Sequence, residues 1–209
     1  CVPTGNFGNV FAGFVAKRMG FPVGQLLLAT NENDILSVFF ATGVYERGPV
    51  RYTITPAMDI QVASNFERYL YYLLGERPAA LVDFMQAFAR EGRAALPAAP
   101  GTAGFAATAV DVGDTSATIR AVYREHGYVV DPHTAVGVAA ARRFQAQGPT
   151  VCLATAHPAK FPEAVDEAIG APLARHPRLE ALRGKPSRTT VLPASLDAVR
   201  GFIERHATR

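Results

Sequence analysis

The 209-residue sequence has no tryptophan, two cysteines, three lysines and no long apolar run. Each shortage excludes something. A helix that crosses a bilayer needs ~20 consecutive apolar residues, and nothing here approaches that length. Cys1 and Cys152 are too few for a disulfide framework, so a reduced, cytoplasmic setting is expected. No Cys/His spacing resembles a zinc site. A charged start followed by an apolar core is also missing, which removes the secretory-signal reading. Net charge is only +3, and its basic residues are scattered. Arg77, Arg90, Arg93 and Arg142 fall on or beside expected helices as solvated faces, so no nucleic-acid stripe forms. The chain opens on Cys1 rather than methionine, two residues before a turn-and-helix signature, and reads as a segment of something longer.

Short apolar runs alternate with amphipathic helices, which predicts an α/β fold with a parallel or mixed sheet flanked by helices. Gln25–Ala29 is a continuous apolar strand, as a sheet buried on both faces requires. Val50–Thr55 and Thr150–Ala154 read as further strands. Helices are expected after the polar turn Thr4–Asn9, after a cap at Asp34, over 64–75 behind a Ser64/Glu67 capping box, and after Pro78. Others follow Asp114, Asp131-Pro132, Pro162 and Ser195. Leu96–Gly104, rich in Pro, Gly and Ala, is the one candidate connection between subregions.

Three stretches could carry chemistry. Gly5-Asn6-Phe7-Gly8-Asn9 stands at a helix start, where unsatisfied amides and the positive end of the dipole favour an anion. Two glycines let a ligand approach the backbone, and the asparagines tolerate unusual dihedrals. No Lys-Ser/Thr follows, so this is not a P-loop. A plain glycine-rich entry into a helix fits the same residues. Leu153-Ala154-Thr155-Ala156-His157-Pro158-Ala159-Lys160-Phe161 places polar groups at the carboxyl end of an expected strand, where open α/β sheets bind ligands, although His157 also suits a hydrogen-bonded turn. In Val130-Asp131-Pro132-His133-Thr134-Ala135-Val136-Gly137 the aspartate is explained as a helix cap, and His133 sits in the first turn, a poor place for a cation.

Together with Ala29–Leu36 and Met58–Arg68, these stretches occur in an order that closely resembles threonine synthases of the long bacterial and fungal branch. The likeness runs from Pro3 to about Glu167 and weakens between Arg77 and Thr108 and in the tail. It implies a tryptophan-synthase-β-like fold (type II among pyridoxal-phosphate enzymes). It also implies conversion of O-phospho-L-homoserine and water to L-threonine and phosphate. By the same resemblance, Gly5, Asn6, Phe7, Gly8 and Asn9 hold the cofactor phosphate, and Thr155 lies near the pyridine nitrogen. Asn31, Thr55 and Arg68 are candidates for the substrate; Ala57 stands where relatives often carry serine. The family's cofactor-bonding lysine is expected N-terminal to the glycine loop. Lys17, Lys160 and Lys185 all lie outside that motif and read as surface or local structural residues. This segment alone is therefore expected to be inactive. A threonine dehydratase or a non-catalytic relative of the same fold stays open as an alternative.

Overall fold

A computed structural model describes residues 1–100, 104–144, 146 and 148–207. Contacts within the chain divide it into two compact units, residues 1–175 and 176–209. The Leu96–Gly104 connection lies inside the first unit, and its residues 101–103 are outside the described ones.

The first unit is built on a three-stranded parallel sheet. Its strands are β1 (Val2–Pro3), β2 (Leu26–Thr30) and β5 (Phe105–Ala109), with β2 in the middle. Leu28 pairs with Val2 on one side and with Ala107 on the other. All five residues of β2 are buried, and the two-residue period of a strand sorts them to two cores. Leu26 and Leu28 face an aromatic core that includes Phe7, Phe39, Tyr45, Phe66 and Tyr69. Leu27 and Ala29 face a second core with Met58, Val110, Val136 and Ala140. The apolar run is thus uninterrupted because neither face of β2 meets water.

Helices α1 (Gly8–Arg18), α2 (Ile35–Thr42), α3 (Phe66–Leu73) and α4 (Pro78–Glu91) supply most of the aromatic core. The strands β3 (Val44–Glu46) and β4 (Arg93–Ala95), with α3 and α4 between them in sequence, form a separate antiparallel pair. On the other face, α5 (Val112–His126), α6 (Pro132–Phe144) and α7 (Pro162–Ile169) enclose a third cluster around Ile119, Val130, Ala135 and Val165. Helix α6 lies close against β1: a Cβ on Gly137 would be 3.1 Å from Pro3 Cδ. The second unit holds α8 (Pro177–Glu180) and α9 (Leu196–His206), whose start is capped by Ser195 Oγ accepting from the Ala198 amide. No described helix is long and apolar enough to cross a membrane.

Several local expectations need correction. Val50–Thr55 is not a strand. Its main chain is taken by side chains instead: the Arg51 amide donates to Asn33 Oδ1, and the Thr53 amide donates to Asp59 Oδ2. Thr150–Ala154 also lacks regular strand structure. It nevertheless brackets Cys1, the residue before β1, in the parallel manner, since Cys1 N donates to Val151 O and the Leu153 amide to Cys1 O. The Ser64/Glu67 capping box does not form; α3 begins at Phe66, and Asn65 precedes it without a side-chain cap. Asp34 precedes α2 without a capping hydrogen bond either. Asp111, not Asp114, caps α5, by accepting from the Asp114 amide.

Candidate functional site

The loop between β1 and α1 forms one wall of an open cleft of about 340 Å³. Gly5, Asn6, Gly8 and Asn9 line it together with Ala57 and Met58, and the far wall carries His133, Thr155, Lys160 and Phe161. Both walls sit past the carboxyl end of β1, the position at which open α/β sheets take ligands.

The loop is held by its own side chains. Thr4 Oγ1 accepts the Phe7 amide at 3.0 Å, and Asn6 Oδ1 accepts the Gly8 amide at 3.1 Å. Asn6 O accepts from both the amide and the Nδ2 of Asn65, at 3.0 and 3.2 Å. The amides of Gly5, Asn6 and Asn9 have no hydrogen bond among the described residues, and all three residues line the cleft. Free amides at the start of an eleven-residue helix are what an anion needs. The neighbouring turn Pro56–Met58 is packed tightly on the loop, because a Cβ on Gly5 would be 2.9 Å from Met58 Cα and 3.2 Å from Ala57 O. Glycine is thus required here for closeness of two backbones.

Phe7 departs from expectation. It, not an asparagine, takes the left-handed conformation, with φ 66° and ψ 11°. That costs a non-glycine residue about 1–2 kcal/mol. The ring compensates by being completely buried, 5.3 Å from Phe66 and 5.5 Å from Tyr69 between centroids. Its side chain therefore has no part in the cleft lining and acts as the anchor of the loop.

The far wall begins at the N-terminus of α6. Asp131 Oδ1 accepts the amides of His133 (2.9 Å) and Thr134 (3.3 Å) and faces His133 Nδ1 at 3.3 Å. Its Oδ2 accepts from the Thr134 hydroxyl. Burial alone would push this carboxyl up, but the hydrogen bonds from His133 and Thr134 outweigh it and hold Asp131 below the ordinary carboxylate range. Thr134 Oγ1 in turn accepts the Thr155 amide at 3.2 Å. A chain of contacts thus runs from Asp131 through Thr134 to Thr155, whose hydroxyl has no partner among the described residues. His157 behaves as a turn residue: its Nδ1 accepts the Ala159 amide and its carbonyl the Lys160 amide.

The three substrate candidates do not line this cleft. Asn31 and Thr55 are buried in a polar network, where Asn31 Nδ2 faces Thr53 Oγ1, Thr55 Oγ1 and Asp59 Oδ1 at 2.7–3.0 Å. That network fixes residues 51–59 and so the turn beneath Gly5. Arg68 donates to Asn65 Oδ1 at 2.7 Å and borders a separate surface depression with Phe11, Tyr71 and Leu81. Among the lysines, Lys17 donates to Gly24 O, while Lys160 is exposed and stands on the cleft wall. Along the sequence His133 belongs to a stretch that could carry chemistry, yet it reads there as a helix-start residue. The signal was its place beside a capping aspartate, which gave no hint that α6 faces the glycine loop.

A phosphorylated pyridine ring fits these residues. The free amides and positive helix end suit its phosphate, and the unpartnered Thr155 hydroxyl suits a ring nitrogen.

A family profile described as threonine synthase, C-terminal, matches residues 134–203. Threonine synthase of Pseudomonas aeruginosa is 44% identical over the whole of this chain and 46% of its own length. A crystal structure of pyridoxal-phosphate-bound threonine synthase from Brucella melitensis superposes with TM-score 0.89 at 45% identity, covering 98% of this chain and 45% of that one. Threonine synthase from yeast follows with TM-score 0.85 and 35% identity, over 97% of this chain and 46% of its own. The chain thus spans a little under half the length of these relatives.

Proposed function

Because the chain belongs to the threonine synthase family, we propose that the protein carrying it converts O-phospho-L-homoserine and water to L-threonine and phosphate, with pyridoxal phosphate in the cleft described above. The observation that supports this most is the meeting of the free Gly5, Asn6 and Asn9 amides and the Thr155 hydroxyl on one cavity. A cytoplasmic setting belongs to the same proposal.

When bound, the cofactor supplies an electron sink that acidifies the carbon atoms of an attached amino acid. The chain's own residues do the rest of what can be assigned to it. Backbone nitrogens of Gly5, Asn6 and Asn9 bind the cofactor phosphate at the positive end of α1. Phe7 contributes only by holding those nitrogens in place. Thr155 offers the ring nitrogen a neutral hydroxyl instead of a carboxylate, which leaves the ring a weaker sink and restrains side reactions such as transamination. Asp131 sets the position of Thr155 through Thr134. The amine that bonds the cofactor and moves protons belongs, on this reading, to the part of the family's length that this chain does not span. We keep Asn31, Thr55 and Arg68 in the proposal as residues that shape the site from outside the cleft, through the 51–59 segment and through Asn65.

The test is to supply the full-length protein with pyridoxal phosphate and O-phospho-L-homoserine and follow phosphate and L-threonine. Equal release of both is expected. Cofactor binding without turnover would favour the non-catalytic reading, and 2-oxobutanoate as main product would favour a dehydratase.

A further inference from the structure

His133 is the one described residue with a buried side-chain nitrogen that has no partner: Nε2 is shielded from solvent and makes no hydrogen bond. Leaving such an atom unmatched costs about 1–3 kcal/mol, so native folds seldom carry one without a reason. The side chain is 95% buried, with Asp131 at its Nδ1 and the Phe161 ring 4.7 Å away, and the residue lines the cleft. We propose that His133 is a ligand-contacting residue of the cleft, its Nε2 accepting a hydrogen bond from a hydroxyl or ammonium group of the bound cofactor or amino acid.

The tautomer follows from the partner on the other side of the ring. A carboxylate can only accept, so Nδ1 facing Asp131 Oδ1 carries the hydrogen, and in the neutral form of the ring Nε2 presents its lone pair. The carboxylate form is secured by the two backbone amides and the Thr134 hydroxyl that also bond Asp131. Asp131 is then a positioning residue for both far-wall groups, His133 by direct contact and Thr155 through Thr134. The phosphate is an unsuitable partner for that lone pair, since an ionised phosphate only accepts. A ring hydroxyl of the cofactor and the ammonium or hydroxyl of the amino acid share the donor chemistry that fits.

This inference rests on the proposed function, and the test separates the two. Glutamine can place a polar atom where Nε2 stands, asparagine only where Nδ1 stands. In the full-length protein, His133→Gln should keep its affinities for pyridoxal phosphate and L-threonine within about threefold. His133→Asn and His133→Phe should lose about five- to twentyfold in one of them, as expected for one buried hydrogen bond. Selective 15N labelling of histidine gives a second readout. The Nε2 resonance of His133 should move on adding pyridoxal phosphate alone if the cofactor is the donor, or only after adding L-threonine if the amino acid is. Unchanged affinities in His133→Asn with a stationary Nε2 resonance, in a protein that does bind the cofactor, would overturn this inference and leave the proposed function standing. No cofactor binding by the unsubstituted protein would overturn both.

Discussion

Replacing Gly5 with alanine tests the cleft at its tightest point. The added methyl would lie 2.9 Å from Met58 Cα, 3.2 Å from Ala57 O and 3.2 Å from Ile60 Cδ1. Carbon pairs prefer about 3.5–4.0 Å, so something must retreat. The Pro56–Met58 turn is poorly placed to do so. Met58 is buried, its amide is bonded to Thr55 O, and Asp59 next to it accepts from Asn31, Asn33 and Thr53. The loop therefore yields, moving the amides of residues 5–9 off their positions. Overpacking of this kind costs about 1–3 kcal/mol. If that cost falls on the ligand-holding geometry, the full-length protein should bind pyridoxal phosphate about five- to hundredfold more weakly. Gly8→Ala is the control. Its methyl would meet only the Asn6 Oδ1 and Asn65 Nδ2 side-chain ends, at 3.2 and 3.4 Å, at the first position of α1. Fluorescence titration with the cofactor and thermal unfolding of the cofactor-free protein would measure both variants. Equal binding and melting of Gly5→Ala and the unsubstituted protein would refute the reasoning, as would a Gly8→Ala loss of melting temperature of the same size.

Two further outcomes are expected. Phe7→Ala should destabilise the cofactor-free protein by about 3–5 kcal/mol, the usual cost of emptying a buried phenylalanine site; denaturant unfolding would read it, and a loss under ~1 kcal/mol would show that the ring is not an anchor. Burial holds the Tyr69 phenol in its neutral form and pushes its pKa up to about 12. The folded pKa is raised, so this contribution is complete below the ordinary tyrosine value near 10 and is lost as pH climbs from there through about 12. Tyr69→Phe should accordingly lose less melting temperature between pH 9.5 and 11.5 than the unsubstituted protein, and parallel losses would contradict the assignment.

What could be read in the sequence follows where the physics was local. Strand β2 was legible because burial on both faces leaves an unbroken apolar run, and α4 and α7 were legible because Gly92 and Gly170 end them in the left-handed conformation. Val50–Thr55 was misleading for the opposite reason. Its β-branched and aromatic residues suit a strand, but the side chains of Asn33, eighteen residues before Arg51, and of Asp59, six residues after Thr53, claim its amides. The glycine loop could be placed at a helix start, whereas the left-handed Phe7 could not be foreseen, since only the surrounding rings make that conformation tolerable. His133 and Lys160 stand in stretches that could carry chemistry, but each reads locally as a structural or surface residue. They become cleft residues only because α6 and the segment after 150 are brought against the β1–α1 turn.

Phe7 joins two tasks that are usually kept on separate residues. Its nitrogen and carbonyl belong to the turn that faces the cavity, while its ring belongs to the packed interior. A directed-evolution library that randomises positions 5–9 to change ligand preference should hold position 7 constant and vary its neighbours. Conversely, substitutions at Phe66 or Tyr69, out of reach of any bound molecule, should surface in screens as altered binders.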